Sequence, residues 1–412
     1  MISIEKADDV DIALWTYPWD VLDEGIDAAL DGIVALGVDG ISLAVAYHAA
    51  RTLSPRGPRR RIRFLEDGVV YFRPGQARFA AAMPLMPQSS ELCRERDPLE
   101  AIGAAARERG LALHAWTVLT HNSRLGRRHV DLTVQNAFGD RYTYALCPAQ
   151  PAVRAYAAAL CADLAQRYSL ASIELESVGY LGFDHESHHD KIGISIDRLH
   201  RICLSLCFCP ACRERISREG ADPEALDYAV RSELEAYFAR DGGEEAEEEQ
   251  EQEIWARLGE ILGEAGRDAL FRARQGVILE MLQAIREAVG DATKLTVMAA
   301  DSPLISGAVA GVSLEEAARW VEGILLLDYT APAERLASVI RRWRERLPGI
   351  EIGTGMTLLW PIATDVSVLI RRAATLAAAG TDMLRLYNYG LMSRPRLEWV
   401  KRIVEAARGE ET

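Results

Sequence analysis

The sequence predicts a single (β/α)8 barrel spanning 1–412, and three observations carry that expectation. Eight short β-branched, apolar runs recur along the 412 residues. Each is followed by a stretch of helical period rich in Ala, Leu, Glu and Arg. Two excursions, 47–97 and 178–269, interrupt the repeat. Without them about 270 residues remain, close to the ~250 of this architecture. A strand followed by a helix, eight times over, is the pattern of a parallel sheet covered by helices and closed on itself.

The expected strands are 12–17, 40–46, 111–118, 171–177, 294–300, 323–328, 350–356 and 382–388. The expected helices are 20–37, 98–110, 151–168, 276–289, 313–321, 332–347, 365–379 and 395–408. Gly37 and Gly110 stand as helix stops. Pro98, Pro151 and Pro332 stand near helix starts, where a missing N–H costs nothing. Ser313 with Glu316 matches a capping box. The first excursion predicts a hairpin turning near Glu66-Asp67-Gly68. The second carries a cysteine cluster and the acidic run 242–253, expected to be a solvated tip or helix face. A doubly wound sheet is the competing architecture. It would place a glycine-rich phosphate loop after the first strand, but Tyr17-Pro18-Trp19-Asp20 holds no glycine.

Composition narrows the function. An apolar share of 49% with 26% charged residues describes an ordinary globular chain, which excludes disordered and collagenous classes. No apolar run reaches the ~18 residues of a membrane span. The segment MISIEKADDVDIALW shows no basic stretch before an apolar core, so a cytoplasmic protein is expected. A net charge of −14 argues against a nucleic-acid partner. Self-association into a homo-oligomer is left open. The arginine run at 56–63 reads as a solvated hairpin face, with contact to an acidic sugar as the alternative.

In such barrels chemistry collects at the C-terminal strand ends. Four of the eight tryptophans, Trp15, Trp19, Trp116 and Trp360, fall there. Tyr17, His48, Asn388, Glu176, Asp301 and Asp328 fall there too. Aromatic faces pack on the C–H faces of sugars, and carboxylates and amides bind hydroxyls. The set therefore predicts a small carbohydrate as partner. Trp15, Tyr17, Trp116 and Trp360 would form the platform, unless the rings only roof the barrel. Glycosidic hydrolysis needs an acid and a second carboxylate. Glu176 is the expected acid, with Asp328 as first choice of partner and Asp301 as reserve. Glu174 alternates with Glu176 and points to the same side. Arg385, mid-strand in 382–388, is expected to neutralise Glu174 or Asp328 inside the barrel. His48, His185, Glu186, His188 and Asn388 are candidate hydroxyl contacts. His185, His188 and His189 also suit a metal, or simply a solvated loop.

Cys207-Phe208-Cys209-Pro210-Ala211-Cys212 reads CxCxxC, and three such thiols can converge on one Zn2+ ion. Cys203 and Cys147 are both open as fourth ligand, and a buried cluster of small thiols is the alternative. A Cys-Pro before a helix (Cys147-Pro148), a carboxylate-bearing strand and then CxCxxC resembles the family-42 β-galactosidases of the glycoside hydrolase superfamily. The resemblance covers roughly 140–215. It implies a structural zinc held by Cys147, Cys207, Cys209 and Cys212. In that family the acid sits in an Asn-Glu pair ending strand 4, where this chain has Glu174-Leu175-Glu176-Ser177. The family's nucleophilic Glu ending strand 7 has no counterpart in 352–360, so its two-glutamate mechanism does not carry over. Over its whole length the chain is similar to uncharacterised, hypothetical glycosidase-like barrels.

The expectation is thus a glycoside hydrolase-like enzyme acting on a small soluble saccharide or glycoside. A metal-dependent sugar isomerase or lyase, and a barrel that binds carbohydrate without hydrolysis, are the alternatives.

Overall fold

A computed structural model describes residues 10–185, 190–240 and 250–410. Eight parallel strands form the barrel: β1 (Asp11–Thr16), β2 (Gly40–Tyr47), β3 (Ala112–Val118), β4 (Ser172–Glu176), β5 (Lys294–Ala299), β6 (Gly323–Leu326), β7 (Glu351–Thr357) and β8 (Met383–Tyr387). They hydrogen-bond in chain order, and β1 pairs with both β2 and β8, so the sheet closes. All eight expected runs form these strands. They carry little polar–apolar alternation because both faces are covered; every residue of β2 is buried.

Two layers of core follow. Leucine, isoleucine and valine on the outer strand faces pack under the helices. Aromatic residues fill the inner face toward the strand ends, among them Trp15, Tyr17, Trp19, Tyr47 and Trp116. Glycine makes room for them. A Cβ on Gly355 of β7 would stand 2.8 Å from the Trp15 ring and 3.0 Å from Tyr329. The seventh strand thus gives its space to rings where a carboxylate was missing from the sequence.

Three expected elements differ. The helix expected at 20–37 is two helices, Pro18–Glu24 and Ile26–Val34, because Gly25 between them takes φ 91°. The stretch 313–321 holds only the helix Leu314–Ala317, and Ser313 makes no side-chain cap bond. The first excursion does contain a hairpin, Arg51–Leu53 against Ile62–Phe64. Its turn lies at 54–61, not at Glu66-Asp67-Gly68. Gly68 leads instead into Val69–Val70, which adds antiparallel to the end of β2.

The second excursion forms helices Arg198–Ser205, Pro210–Arg218, Pro223–Phe238 and Glu251–Leu262. They share an apolar cluster that includes Leu199, Phe208, Val230, Leu234 and Ile254. The expected helix 276–289 is the end of Glu264–Val289, which begins inside this excursion. Most of the acidic run lies outside the described residues. Glu251, at its end, accepts from Ser302 and the Leu304 N–H.

Candidate active site

The site begins below the mouth, with a buried ion cluster. β4 alternates Ile173 and Leu175 outward with Glu174 and Glu176 inward. Glu174 is fully buried. Its Oε1 accepts from Arg385 Nε at 2.6 Å, and its Oε2 accepts from Ser42 at 2.5 Å and Trp15 Nε1 at 3.2 Å. Arg385 also donates to the Asp11 carboxylate at 2.8 Å. Of the two expected partners of Arg385, Glu174 and Asp328, the structure pairs it with Glu174. Asp11 was not anticipated, although it shares the inward side of β1 with Trp15. Burial alone would raise the Glu174 carboxyl. The charges of Arg385 and His114 and the hydrogen bonds from Arg385 and Ser42 together outweigh it and hold Glu174 below the usual carboxylate range.

Removing one partner of such a pair strands a charge. Arg385→Met is therefore expected to destabilise the fold by about 3–5 kcal/mol in urea denaturation. Adding Glu174→Gln should recover part of that loss.

Glu176, one layer higher, has the opposite environment. Trp116 Nε1 donates to its Oε2. Burial is the dominant influence and pushes its carboxyl above the usual range. Trp116 and His48 pull the other way, and the Glu174 charge adds to the rise. The rings around it are continuous. Tyr17 lies against Trp116 with centroids 5.5 Å apart, and Trp19 stacks on Tyr17 at 4.4 Å. Trp15 lies 5.9 Å from both Trp116 and Tyr387. The Tyr17 hydroxyl bonds Tyr47 at 3.0 Å and Tyr387 at 2.9 Å. Burial raises the Tyr17, Tyr47 and Tyr387 hydroxyls, so they remain neutral donors.

Three imidazoles stand on one side. His48 stacks on His121 at 4.4 Å, and His121 meets His185 at 5.0 Å. Burial first, then its two neighbours, lowers His121 to about 3. Sequence alone gives His121 no role. Only the fold shows that 48, 121 and 185 are neighbours.

The structure thus brings together Glu176, Trp15, Tyr17, Trp116, His48 and His185. It gives other engagements to the remaining candidates. Asp301 accepts twice from Arg342, at 2.7 and 2.8 Å, and from Trp343 Nε1 at 2.8 Å, all on the helix Ala333–Arg346. Asp328 Oδ1 accepts from the N–H groups of Thr330 and Ala331, closing the turn into that helix. Neither aspartate is among the groups that act on Glu176. Trp360 is 78% exposed and stands apart from the ring cluster. Asn388 is fully buried; its Oδ1 accepts from Gly390 N–H, and its Nδ2 has no partner among the described residues. Glu186 and His188, with His189, lie outside the described residues.

The loop after Glu176 is held from three sides. Ser177 takes φ 52°, a left-handed conformation costly for a non-glycine residue. Thr120 secures it through its N–H at 3.0 Å and its hydroxyl at 2.7 Å, both to the Ser177 carbonyl. Tyr144 donates to the Gly182 carbonyl at 2.9 Å. Phe183 N–H donates to Ser205 at 2.9 Å. A Cβ on Gly182 would stand 2.3 Å from the Ser205 hydroxyl, so only glycine allows this approach.

Those last two anchors adjoin the cysteine cluster. Cys147 follows the strand Arg141–Leu146, and Cys207 follows the helix Arg198–Ser205. The Cys147 sulfur lies 3.8, 3.7 and 3.5 Å from those of Cys207, Cys209 and Cys212. All four are buried, and their sulfurs lie within 4.8 Å of one another. A tetrahedral thiolate centre with bonds of ~2.3 Å has sulfur–sulfur edges of about 3.8 Å. The donor set therefore fits one metal ion. Gln135 N–H and Gln150 Nε2 point at the sulfurs of Cys207 and Cys209, the outer bonds that thiolate ligands take. Cys203, the other candidate for fourth ligand, is buried elsewhere, in the insertion core.

No protein-family model and no curated sequence matches the chain. Solved structures do share its fold. The glycoside hydrolase domain of PgaB (BpsB) from Bordetella bronchiseptica aligns with a TM-score of 0.58 at 13% identity, over 95% of this chain and 98% of that one. The catalytic domain of β-amylase from Paenibacillus polymyxa aligns at 0.55 and 10% identity, over 96% and 95%. α-L-Fucosidase isoenzyme 2 from Paenibacillus thiaminolyticus aligns at 0.55 and 12% identity, over 96% of this chain and 49% of that one. At these identities the likeness establishes the (β/α)8 architecture.

Proposed function

We propose that the chain is a glycoside hydrolase that cleaves a small saccharide or glycoside, with Glu176 as its general acid. One observation carries this reading: two carboxyl groups on one strand, Glu174 and Glu176, with environments that push them apart. Arg385 helps to hold the Glu174 carboxyl below the usual range, while burial among rings pushes the Glu176 carboxyl above it. Such a split is how a site keeps an acid ready near neutral pH. The three fold neighbours, a glycoside hydrolase domain, an α-L-fucosidase and a β-amylase, favour the same chemistry.

In this reading a sugar ring lies against the Trp116 and Tyr387 side of the box. His48 and His185 contact its hydroxyls, and the Tyr17–Tyr47–Tyr387 hydroxyls orient it. Glu176 gives its proton to the leaving oxygen as the bond to the anomeric carbon breaks. Asp301 spends both its oxygens on Arg342, so the second carboxylate role falls to Asp328, whose Oδ2 lies outside the bonds made by Oδ1. The four cysteines hold zinc as a structural ion, since four thiolates leave no open position.

The pH profile tests the acid. A general acid works only while protonated, so activity should be full below its pKa and fall as pH rises through it. The alkaline limb of kcat/KM should lie above the ~4.3 of an ordinary Glu, and Glu176→Gln should abolish that limb. An unchanged limb in the variant contradicts the assignment. The second reading, a barrel that binds sugar without cleaving it, is favoured by the engagement of Asp301 with Arg342 and Trp343. Tight sugar binding with no turnover by the parent protein selects it.

A further inference from the structure

The hairpin Arg51–Leu53/Ile62–Phe64 carries a surface that has no role at Glu176. Its register sets Arg51 opposite Phe64 and Leu53 opposite Ile62. Alternation puts these four side chains on one face. That face is open: Leu53 is 60%, Ile62 58% and Phe64 77% exposed. The other face looks inward, with Thr52 buried and Arg63 lying 5.9 Å over the Trp19 ring.

The charges divide in the same way. Arg56 is bonded to Glu24 and to the Tyr389 carbonyl, and Arg63 to Asp23. These bonds fasten the hairpin to the helix Pro18–Glu24 after β1 and to the turn after β8, at the rim of the mouth. Arg51, Arg59, Arg60 and Arg61 are exposed and have no acidic partner among the described residues. Arg61 donates to the Pro55 carbonyl. Free guanidinium groups gathered at one edge are unexpected in a chain of net charge −14. Their self-repulsion is relieved by an anion, and the apolar strip beside them is covered by a ligand with flat C–H faces.

We propose that this face binds a polyanionic glycan, carboxylated or sulfated, whose chain continues from the Glu176 mouth across the hairpin. The proposal rests on the hydrolase reading and adds the substrate class to it. The hairpin stands beside the mouth: on its inner face Arg63 lies over Trp19, and the buried rings Trp19, Tyr17 and Trp116 carry that contact to Glu176. Arginine presents a planar fork that suits carboxylate and sulfate groups, and its screening by salt gives the interaction a signature.

The test uses the full chain carrying Glu176→Gln, so that the probe is not consumed. Its mobility is compared in native gels containing polygalacturonate, chondroitin sulfate or neutral dextran. A second form adds Arg51→Ser, Arg59→Ser, Arg60→Ser and Arg61→Ser, and a third adds Phe64→Ser alone. The parent should be retarded by a polyanion and not by dextran. The four-arginine form should bind at least tenfold more weakly, and salt should weaken the parent most. With Glu176 restored, kcat on a short neutral glycoside should be unchanged by the arginine substitutions, and the melting temperature should stay within a few degrees. Equal mobility in all gels, or equal retardation with and without the arginines, overturns the proposal. So does loss of binding to anionic lipid vesicles, or of self-association, as the only effect of the substitutions. Arginine-dependent retardation in a protein that cleaves no glycoside keeps the binding face and rejects hydrolysis, so the two failures are distinct.

Discussion

Glu176→Gln should lower kcat/KM by roughly 10²–10⁴-fold on a glycoside with a poor leaving group. The substitution keeps the volume and an oxygen that accepts from Trp116 Nε1, so the ring box should stay assembled. What is lost is the proton for the departing oxygen. A glycoside whose leaving group is already a weak base needs that proton less, so its loss should be much smaller. This contrast separates an acid from a residue that only holds the pocket, because a packing defect slows both substrates alike. Sugar affinity should stay within a few-fold of the parent. Asp328→Asn belongs in the same series. If Asp328 is the second carboxylate, this change slows both substrates together, since every leaving group requires attack on the anomeric carbon.

Removal of one cysteine ligand should be the other large effect. Cys209→Ser is expected to lower the bound metal from one ion per chain toward none, as read by elemental analysis, and to lower the melting temperature markedly. Structural zinc supplies on the order of 10 kcal/mol of folding free energy in zinc-finger peptides. The cluster here ties the strand Arg141–Leu146 to the helices Arg198–Ser205 and Pro210–Arg218. The damage should spread in a defined direction. Tyr144 and Ser205, each within three residues of a cysteine, hold the Gly182–Phe183 backbone. Metal loss should therefore raise amide exchange across 177–185 and reduce turnover, although no sulfur touches the sugar. Cys203→Ser, at a buried cysteine outside the cluster, should leave metal content unchanged.

Much of this arrangement was legible in the sequence, for identifiable reasons. The barrel strands are continuous apolar runs buried on both faces, so their positions follow from hydrophobicity alone. The Glu174–Arg385 pair was legible because a guanidinium in the middle of a buried strand demands a carboxylate. CxCxxC announced itself by spacing. Other features depend on side-chain direction beyond the strand ends, where the period-two rule lapses. Asp301 and Asp328 stand at strand ends like catalytic groups. One turns outward to Arg342, and the other folds back onto its own turn. Trp360 follows Thr357 by three residues and swings into solvent. His121 joins His48 and His185 only because β2, β3 and β4 are neighbours, which spacing along the chain does not reveal. The hairpin turn was misplaced because Glu66-Asp67-Gly68 has the composition of a tight turn, while the proline-rich stretch 54–61 makes the longer one.

The most direct test is a crystal structure of the Glu176→Gln protein soaked with a short oligosaccharide. A ring bound against Trp116 and Tyr387, with the residue-176 amide within about 2.6–3.2 Å of the glycosidic oxygen, is the predicted result. A ring bound away from residue 176, or one held through a cation on His48, His121 and His185, contradicts it and turns the site toward the isomerase class.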